Sequence, residues 1–303
     1  MPSRQTTSYL IRKFKEAGIR PDTRHGQNFL IDLNLLKLLA ETAEVEVNDV
    51  VLEVGTGTGS LTALLAQRAT AVVTVEIHGQ LFQLAEEMLV DCKNVTMLQM
   101  DALKNKNNLQ PELLQLIQGQ LAVSPHRQLK LVANLPYNVA TPIISNLLAT
   151  EILTKSITVT IQKELADRIT ARPGTKDYSA LSVWIQCQCD ARIVRVLGPS
   201  AFWPRPKVHS AIIQICPDPV RRNRIRDRVE FHTFTRSLFF HRRKLLRRVL
   251  LSAYKNRLSK PDVDDVLNEM KLRPDSRAEQ LSVDEMHVLL ETVNSRLTVS
   301  GQK

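Results

Sequence analysis

From Val50 to Val132 the chain alternates short, β-branched apolar runs with stretches whose apolar residues recur at helical spacing, and that rhythm admits few folds. Val50–Val54, Ala71–Glu76, Val95–Met100 and Leu129–Ala133 read as strands buried on both faces, since they lack polar alternation. SLTALLAQRAT lies between the first two and GQLFQLAEEML between the next two. Parallel strands need such crossovers, so the pattern predicts an α/β fold with a Rossmann-like, doubly wound sheet. Further strands are expected at Ser156–Gln162, Ala191–Leu197 and Val208–Ile215. Lys104–Gln128 is long for a connection and reads as a surface insertion carrying one helix, PELLQLIQGQL.

After CPDPV the character changes to helical and charged, which places a domain boundary near residue 219. Three parts are expected: an N-terminal extension over 1–24, a catalytic domain over 25–219 and a small all-α domain over 220–303. The charge divides along the same line. Residues 221–260 hold 14 Lys/Arg and two acids, a surplus of 12, while the other 263 residues carry −2 of the chain's +10. A single-signed cluster of that density repels itself and suits a polyanion, whose neutralised phosphates release counterions. Nucleic acid is therefore the expected partner.

No apolar run approaches the ~18 residues that span a bilayer, so no membrane partner is expected. The opening MPSRQTTSYLIRKFKEAG lacks the apolar core of a secretory signal. It is basic and hydroxyl-rich like a transit peptide, but Glu16 and the apolar spacing favour a short amphipathic helix. Cys187 and Cys189 form a Cys-x-Cys without a second ligand pair, a poor zinc signature, so no metal is expected. Within SVWIQCQC their alternation suggests one face of a strand. All four cysteines are expected as reduced core or near-core thiols in a cytoplasmic, monomeric protein.

VLEVGTGTGSLT carries the first chemical signal. A strand runs into Gly55, Gly57 and Gly59 and a helix follows, an arrangement that lets a ligand approach the main chain closely. The spacing is G-x-G-x-G, not that of dinucleotide binders. The second strand ends in Glu76, placed to accept from ribose hydroxyls, and the third is followed by Asp101, placed to accept from an adenine amino group. All lie at the carboxyl edge of one sheet, where ligands of such sheets bind. Together they predict a nucleoside cofactor without a pyrophosphate, which S-adenosyl-L-methionine satisfies.

The fourth strand runs into Asn134-Leu135-Pro136-Tyr137. An exocyclic adenine amine is a poor nucleophile because its lone pair is delocalised into the ring. Two acceptors binding its two hydrogens draw it toward tetrahedral geometry and free that pair. The Asn134 side-chain oxygen and the Leu135 carbonyl are the candidate acceptors, Pro136 stiffens the turn, and Tyr137 offers a face on which the base stacks. The reading is a methyltransferase acting on an adenine amine.

On these residues the chain resembles the ribosomal RNA adenine N6-dimethyltransferase family over about His25 to Met286. The matching segments are HGQNFLID at 25–32, VLEVGTGTGSLT at 51–62, VEIH at 75–78, MDAL at 100–103 and NLPYN at 134–138. IQKELADRI at 161–169, FWPRPKVHSAI at 202–212 and FFHRRKLLRRVL at 239–250 complete the order. The resemblance implies that Asn28 and Leu30 join Gly55, Gly57, Glu76, Asp101 and Asn134 around the cofactor. It implies that Phe202 sandwiches the target adenine opposite Tyr137, and that Lys207, Arg242, Arg243, Arg247 and Arg248 contact RNA. The implied reaction is dimethylation of two adjacent adenosines in the hairpin near the 3′ end of small-subunit rRNA, during small-subunit biogenesis. His78 and His209 stand where the family usually has Asp.

Three rivals remain. A large-subunit RNA dimethyltransferase would share the pocket chemistry, but the FxPxPKV segment and the arginine-rich helix speak against it. A binding protein that has lost turnover would need neither the glycines, Glu76 and Asp101 nor NLPY. A DNA adenine methyltransferase would share only NLPY.

Overall fold

The computed structural model describes residues 7–19, 21 and 26–300. His25 of the first motif and the rest of the N-terminal extension, the transit-peptide alternative included, lie outside them. The chain divides into two compact units. One comprises the chain up to Ala166 together with Ala191–Pro217, and the other Asp167–Asp190 together with everything from Asp218 onward. The helical unit thus draws a segment, 167–190, from inside the stretch expected to be catalytic.

The first unit is built on seven strands. They are β1 (Asp49–Val54), β2 (Ala71–Glu76), β3 (Val95–Gln99), β4 (Gln128–Asn134), β5 (Thr154–Gln162), β6 (Cys189–Leu197) and β7 (Ser210–Pro217). Their spatial order is 3-2-1-4-5-7-6. β3, β2, β1, β4 and β5 are mutually parallel, and β7 returns antiparallel to β5, with Ser210 opposite Gln162. β1 and β2 are buried at every position, as mainly apolar runs covered on both faces are. The order reverses between β1 and β4, the switch point beside which such sheets bind ligands.

Helices α1 (Thr7–Glu16), α2 (Leu33–Thr42), α3 (Ser60–Ala66), α4 (Gly79–Leu89), α5 (Pro111–Ala122) and α6 (Ala140–Ala149) belong to this unit, and α7 (Lys163–Ile169) starts in it. The Asp32 carboxylate caps α2 by accepting from the Asn34 and Leu35 amides, and Pro111 opens α5 where its missing N–H costs nothing. α5 corrects the insertion reading of Lys104–Gln128. Leu113 and Ile117 are fully buried and the helix packs on the sheet, so it is the crossover from β3 to β4. The amphipathic spacing of α1 has its expected result: Leu10 and Phe14, one turn apart, are buried with Ile19 and Leu81. The Phe14 ring meets Phe29 edge-on at 5.0 Å and Trp203 at 5.3 Å.

The second unit contains α8 (Ala180–Gln186), α9 (Pro219–Asn223), α10 (Arg228–Phe240), α11 (Leu246–Ala253), α12 (Lys260–Glu269) and α13 (Val283–Ser300). Its core uses aromatic stacking: Trp184 on His232 at 4.4 Å and Phe231 on His287 at 4.3 Å. The strand expected at SVWIQCQC is helix α8 instead. A capping box between Ser179 and Ser182 starts it, Ser182 to Ile185 are all buried, and Cys187 is its C-cap. Of Cys187 and Cys189, only the latter lies on a strand. None of the four cysteines is in a disulfide, but Cys216 is exposed, which corrects its expected near-core placement. Among the described residues no helix is long and apolar enough to cross a membrane, and no group of three or more His, Cys, Asp or Glu could hold a metal.

Candidate active site

The glycine loop follows β1 and turns into α3. Gly55, Gly57 and Gly59 have φ of +88°, +57° and +79°, values that favour glycine. A Cβ on Gly55 would sit 3.3 Å from the Pro136 ring, and one on Gly57 3.3 Å from Phe29, so the loop is a cradle without room for side chains. Glu76 anchors it from the end of β2. One carboxylate oxygen accepts from the Gly57 amide at 2.9 Å and the other from the His78 amide at 2.9 Å. Burial raises the Glu76 carboxyl above its ordinary pKa, and these two amides partly offset the rise.

Beneath the loop lies a hydroxyl network absent from the expectations. Glu53, in β1, is 1% exposed, and one of its oxygens accepts from both Thr62 at 2.6 Å and Thr74 at 2.8 Å. Thr74 in turn accepts from the Thr56 hydroxyl at 2.6 Å, its own proton being committed to Glu53. Desolvation pushes the Glu53 carboxyl up to about 8, the threonine bonds opposing and the neighbouring Glu76 adding to the rise. The signal was present in VLEVG as an acid in an otherwise apolar buried strand.

These elements enclose one side of a cavity of about 300 Å³. Asn28 and Leu30 line it, with the glycine loop, Glu53, Glu76, Ile77, Leu81, Met100, Asp101, Asn134 and Pro136. Among the described residues its lining holds three acids and no Lys, Arg or His. Glu53 is held toward its neutral form. The Glu76 and Asp101 carboxylates disfavour phosphates and suit a cationic, nucleoside-like molecule, offering acceptors for a ribose diol and an amine beside apolar side chains for a base. The donor set therefore fits S-adenosyl-L-methionine and does not fit a nucleotide. Asp101 is exposed at the rim and accepts from the Leu103 amide at 2.9 Å.

Asn134 ends β4 at the same cavity. Its amide nitrogen donates to the Asn28 carbonyl at 2.9 Å, which leaves the amide oxygen as the acceptor still to be used. The Leu135 amide is held by the Thr160 carbonyl, and no described backbone amide bonds the Leu135 carbonyl. Leu135, Tyr137 and Phe202 do not line the cavity, whereas Pro136, Asn138 and Val139 do. The Tyr137 hydroxyl shares a 2.5 Å hydrogen bond with Ser210 at the start of β7, which fixes the ring. Burial raises the Tyr137 phenol, and Ser210 offsets part of that. Gly26, at φ +71°, lets its segment approach the Tyr137 amide so closely that a Cβ would lie 2.9 Å away. Ser210 and Gly26 are positioning residues that sequence spacing did not single out.

Phe202 is 2% exposed and packs in the main apolar cluster, its strand paired with Leu30. The stacking role expected of it needs a face that this conformation does not present. Lys207 and His209 are exposed. In the second unit, Arg242 donates to the Glu279 carboxylate and to the Lys176 and Thr175 carbonyls, and Arg247 grips Asp264 with two hydrogen bonds. Arg243 and Arg248 are exposed with neither an ion pair nor a hydrogen bond of their side chains to described residues. The four arginines thus divide into two that brace the unit and two that face solvent.

A model of the family described as ribosomal RNA adenine dimethylase matches residues 20–293. The chain is 38% identical over 278 residues to a Lactiplantibacillus plantarum protein named ribosomal RNA small subunit methyltransferase A, covering 91% of each. It is also 38% identical to a Clostridium botulinum protein of that name over 268 residues, 88% of this chain and 92% of the relative. Among solved structures, a dimethyladenosine transferase from Plasmodium falciparum superposes with a TM-score of 0.73 at 24% identity, over 88% of this chain and 97% of that one. The 23S rRNA methyltransferase ErmE superposes with a TM-score of 0.61 at 23% identity, over 88% and 100%. At those identities the two structures speak for the fold alone.

Proposed function

The chain belongs to the ribosomal RNA adenine dimethylase family, and from that membership we propose that it transfers methyl groups from S-adenosyl-L-methionine to N6 of two adjacent adenosines near the 3′ end of small-subunit rRNA. The observation that carries the proposal is the cavity: three acids and no base among the described residues, a glycine cradle, and Asn134 and Pro136 at one wall. The cofactor supplies a methyl on a positively charged sulfur, which departs as a neutral thioether. Glu76 would take the ribose, Asp101 the adenine amine, and Asn28, Leu30, Gly55 and Gly57 would shape the rest of the cradle.

The chain's own work is positioning. The Asn134 amide oxygen and the Leu135 carbonyl accept the two hydrogens of the target amine, and Tyr137 holds the base by stacking. Because Asn134 is oriented by Asn28, the acceptor is set before substrate arrives, and no reorganisation is needed at the moment of transfer. The amine's surplus proton leaves to water after the nitrogen–carbon bond forms. Lys207, Arg243 and Arg248 hold phosphates directly, with Arg242 and Arg247 bracing the segment that carries Arg243 and Arg248. The target adenosines swing out of a hairpin loop, which costs less than leaving a duplex. The substrate places the protein in the cytoplasm, on the immature small subunit.

Purified protein, labelled cofactor and unmethylated small subunits provide the test, with large subunits as control. Digestion and mass spectrometry should recover N6,N6-dimethyladenosine from the small-subunit RNA. Label confined to the large subunit would favour the large-subunit dimethyltransferase reading, and no label in either would leave only an RNA-binding protein.

A further inference from the structure

The most exposed large apolar side chain among the described residues is Phe240, at 80%. It is the last residue of α10, whose opposite face buries Phe231, Phe234, Thr235 and Leu238. Arg236 lies one turn back on the same outward face, and Arg243 and Lys244 follow; all three are exposed. From Phe231 to Pro261 the chain holds nine Lys/Arg and no acid. We propose that Phe240 is a stacking platform for an unpaired base of the RNA substrate, set among the cations that hold the flanking phosphates.

The ring is held ready. His241 packs against it edge-on at 4.8 Å, and Arg242, tied to Glu279 and to the Thr175 carbonyl, fixes the turn that carries Arg243 and Lys244. An aromatic face interleaved with exposed cations is how proteins grip single-stranded segments without reading their sequence, since every base has a π-face and every linkage a charge. Charge selects among occupants. A second copy of this chain would bring the same cations face to face, and a neutral protein surface would leave them unpaired. The inference rests on the RNA-methylating reading and adds a contact outside the methyl-transfer cavity.

The test compares wild-type protein, Phe240→Ala and Phe240→Trp for binding to an RNA hairpin with an unpaired loop and to a fully paired duplex of equal length. Phe240→Ala should weaken hairpin binding by about 5- to 100-fold, with the salt slope, the duplex affinity and the Tm unchanged. Phe240→Trp should bind the hairpin at least as well as wild type. Hairpin affinity unchanged in Phe240→Ala overturns the platform while leaving the RNA reading intact. Equal weakening on hairpin and duplex with a smaller salt slope overturns it too, as does a wild-type dimer that Phe240→Ala dissolves in sedimentation. Wild-type protein that binds neither RNA refutes the functional reading itself.

Discussion

Raising the pH from 7 to 8 should weaken the folded state through one buried side chain, Glu53. Desolvation holds its carboxyl at about 8, against 4.5 for the free group, and both threonine donors fall on a single oxygen, which leaves the other to carry a proton. Between those two pH values the native state keeps a proton that the unfolded chain releases, so stability declines as pH rises and levels off above about 8. One retained proton corresponds to about 1.4 kcal/mol per pH unit, a sizeable part of a domain's typical 5–15 kcal/mol. Glu76, also raised by burial, acts in the same direction. His232 and His287, lowered by burial, act oppositely, but mainly below about pH 7. Glu53→Gln carries no proton, and its amide oxygen can take the same two hydroxyls. Urea unfolding of the cofactor-free protein from pH 6 to 9 measures the effect. Trp203 fluorescence in a Trp184→Phe background confines the signal to the unit holding Glu53. Because the native proton is half lost at pH 8, wild type should lose about 1 kcal/mol between pH 7 and 8, and Glu53→Gln should lose clearly less. A wild-type curve that is flat or rising there, or a Gln variant with the same slope, would refute the buried-proton account.

Other perturbations test other joints of the structure. Gly55→Ala strains a residue at φ +88° and drives a Cβ toward Pro136, so calorimetry should find cofactor affinity reduced by about tenfold or more, by roughly 1.4 kcal/mol per decade. Ser210→Ala and Tyr137→Phe each remove the 2.5 Å hydroxyl contact; each should lower the methyl-transfer rate, and the double variant should be no worse than either, whereas additive losses would contradict a shared role. Arg243→Gln and Arg248→Gln should each reduce the salt slope of RNA binding by about 0.9, while Arg247→Gln, which breaks the Asp264 pair, leaves the slope unchanged.

How much of this was legible in the sequence depended on whether a feature was local. Strands of the parallel sheet announced themselves because burial on both faces leaves a mainly apolar run, as in Val50–Val54, where Glu53 is the one polar residue. The glycine loop, Glu76 and Asn134 follow strand ends at short range, so their convergence followed from topology alone. Ser210 lies 73 residues from Tyr137, and nothing in either neighbourhood marks the contact. SVWIQCQC misled because seven residues that pack as a helix also alternate as a strand, and the deciding signal was the Ser179–Ser182 capping box. Lys104–Gln128 looked like an addition because a short hairpin, Leu103–Asn105 with Asn108–Leu109, precedes the crossover helix. Segment 167–190 joins the helical unit through long-range packing that no boundary composition records.

Methyl transfer depends on Asn134 presenting an acceptor that its bond to Asn28 has already aimed. Single-turnover methyl transfer by Asn134→Ala, at saturating cofactor and RNA, tests it most directly. Loss of one preorganised polar partner predicts a rate reduced about 100- to 1000-fold while hairpin RNA binds as tightly as before. A variant transferring methyl within a few-fold of the wild-type rate would contradict the activation of the amine by this residue.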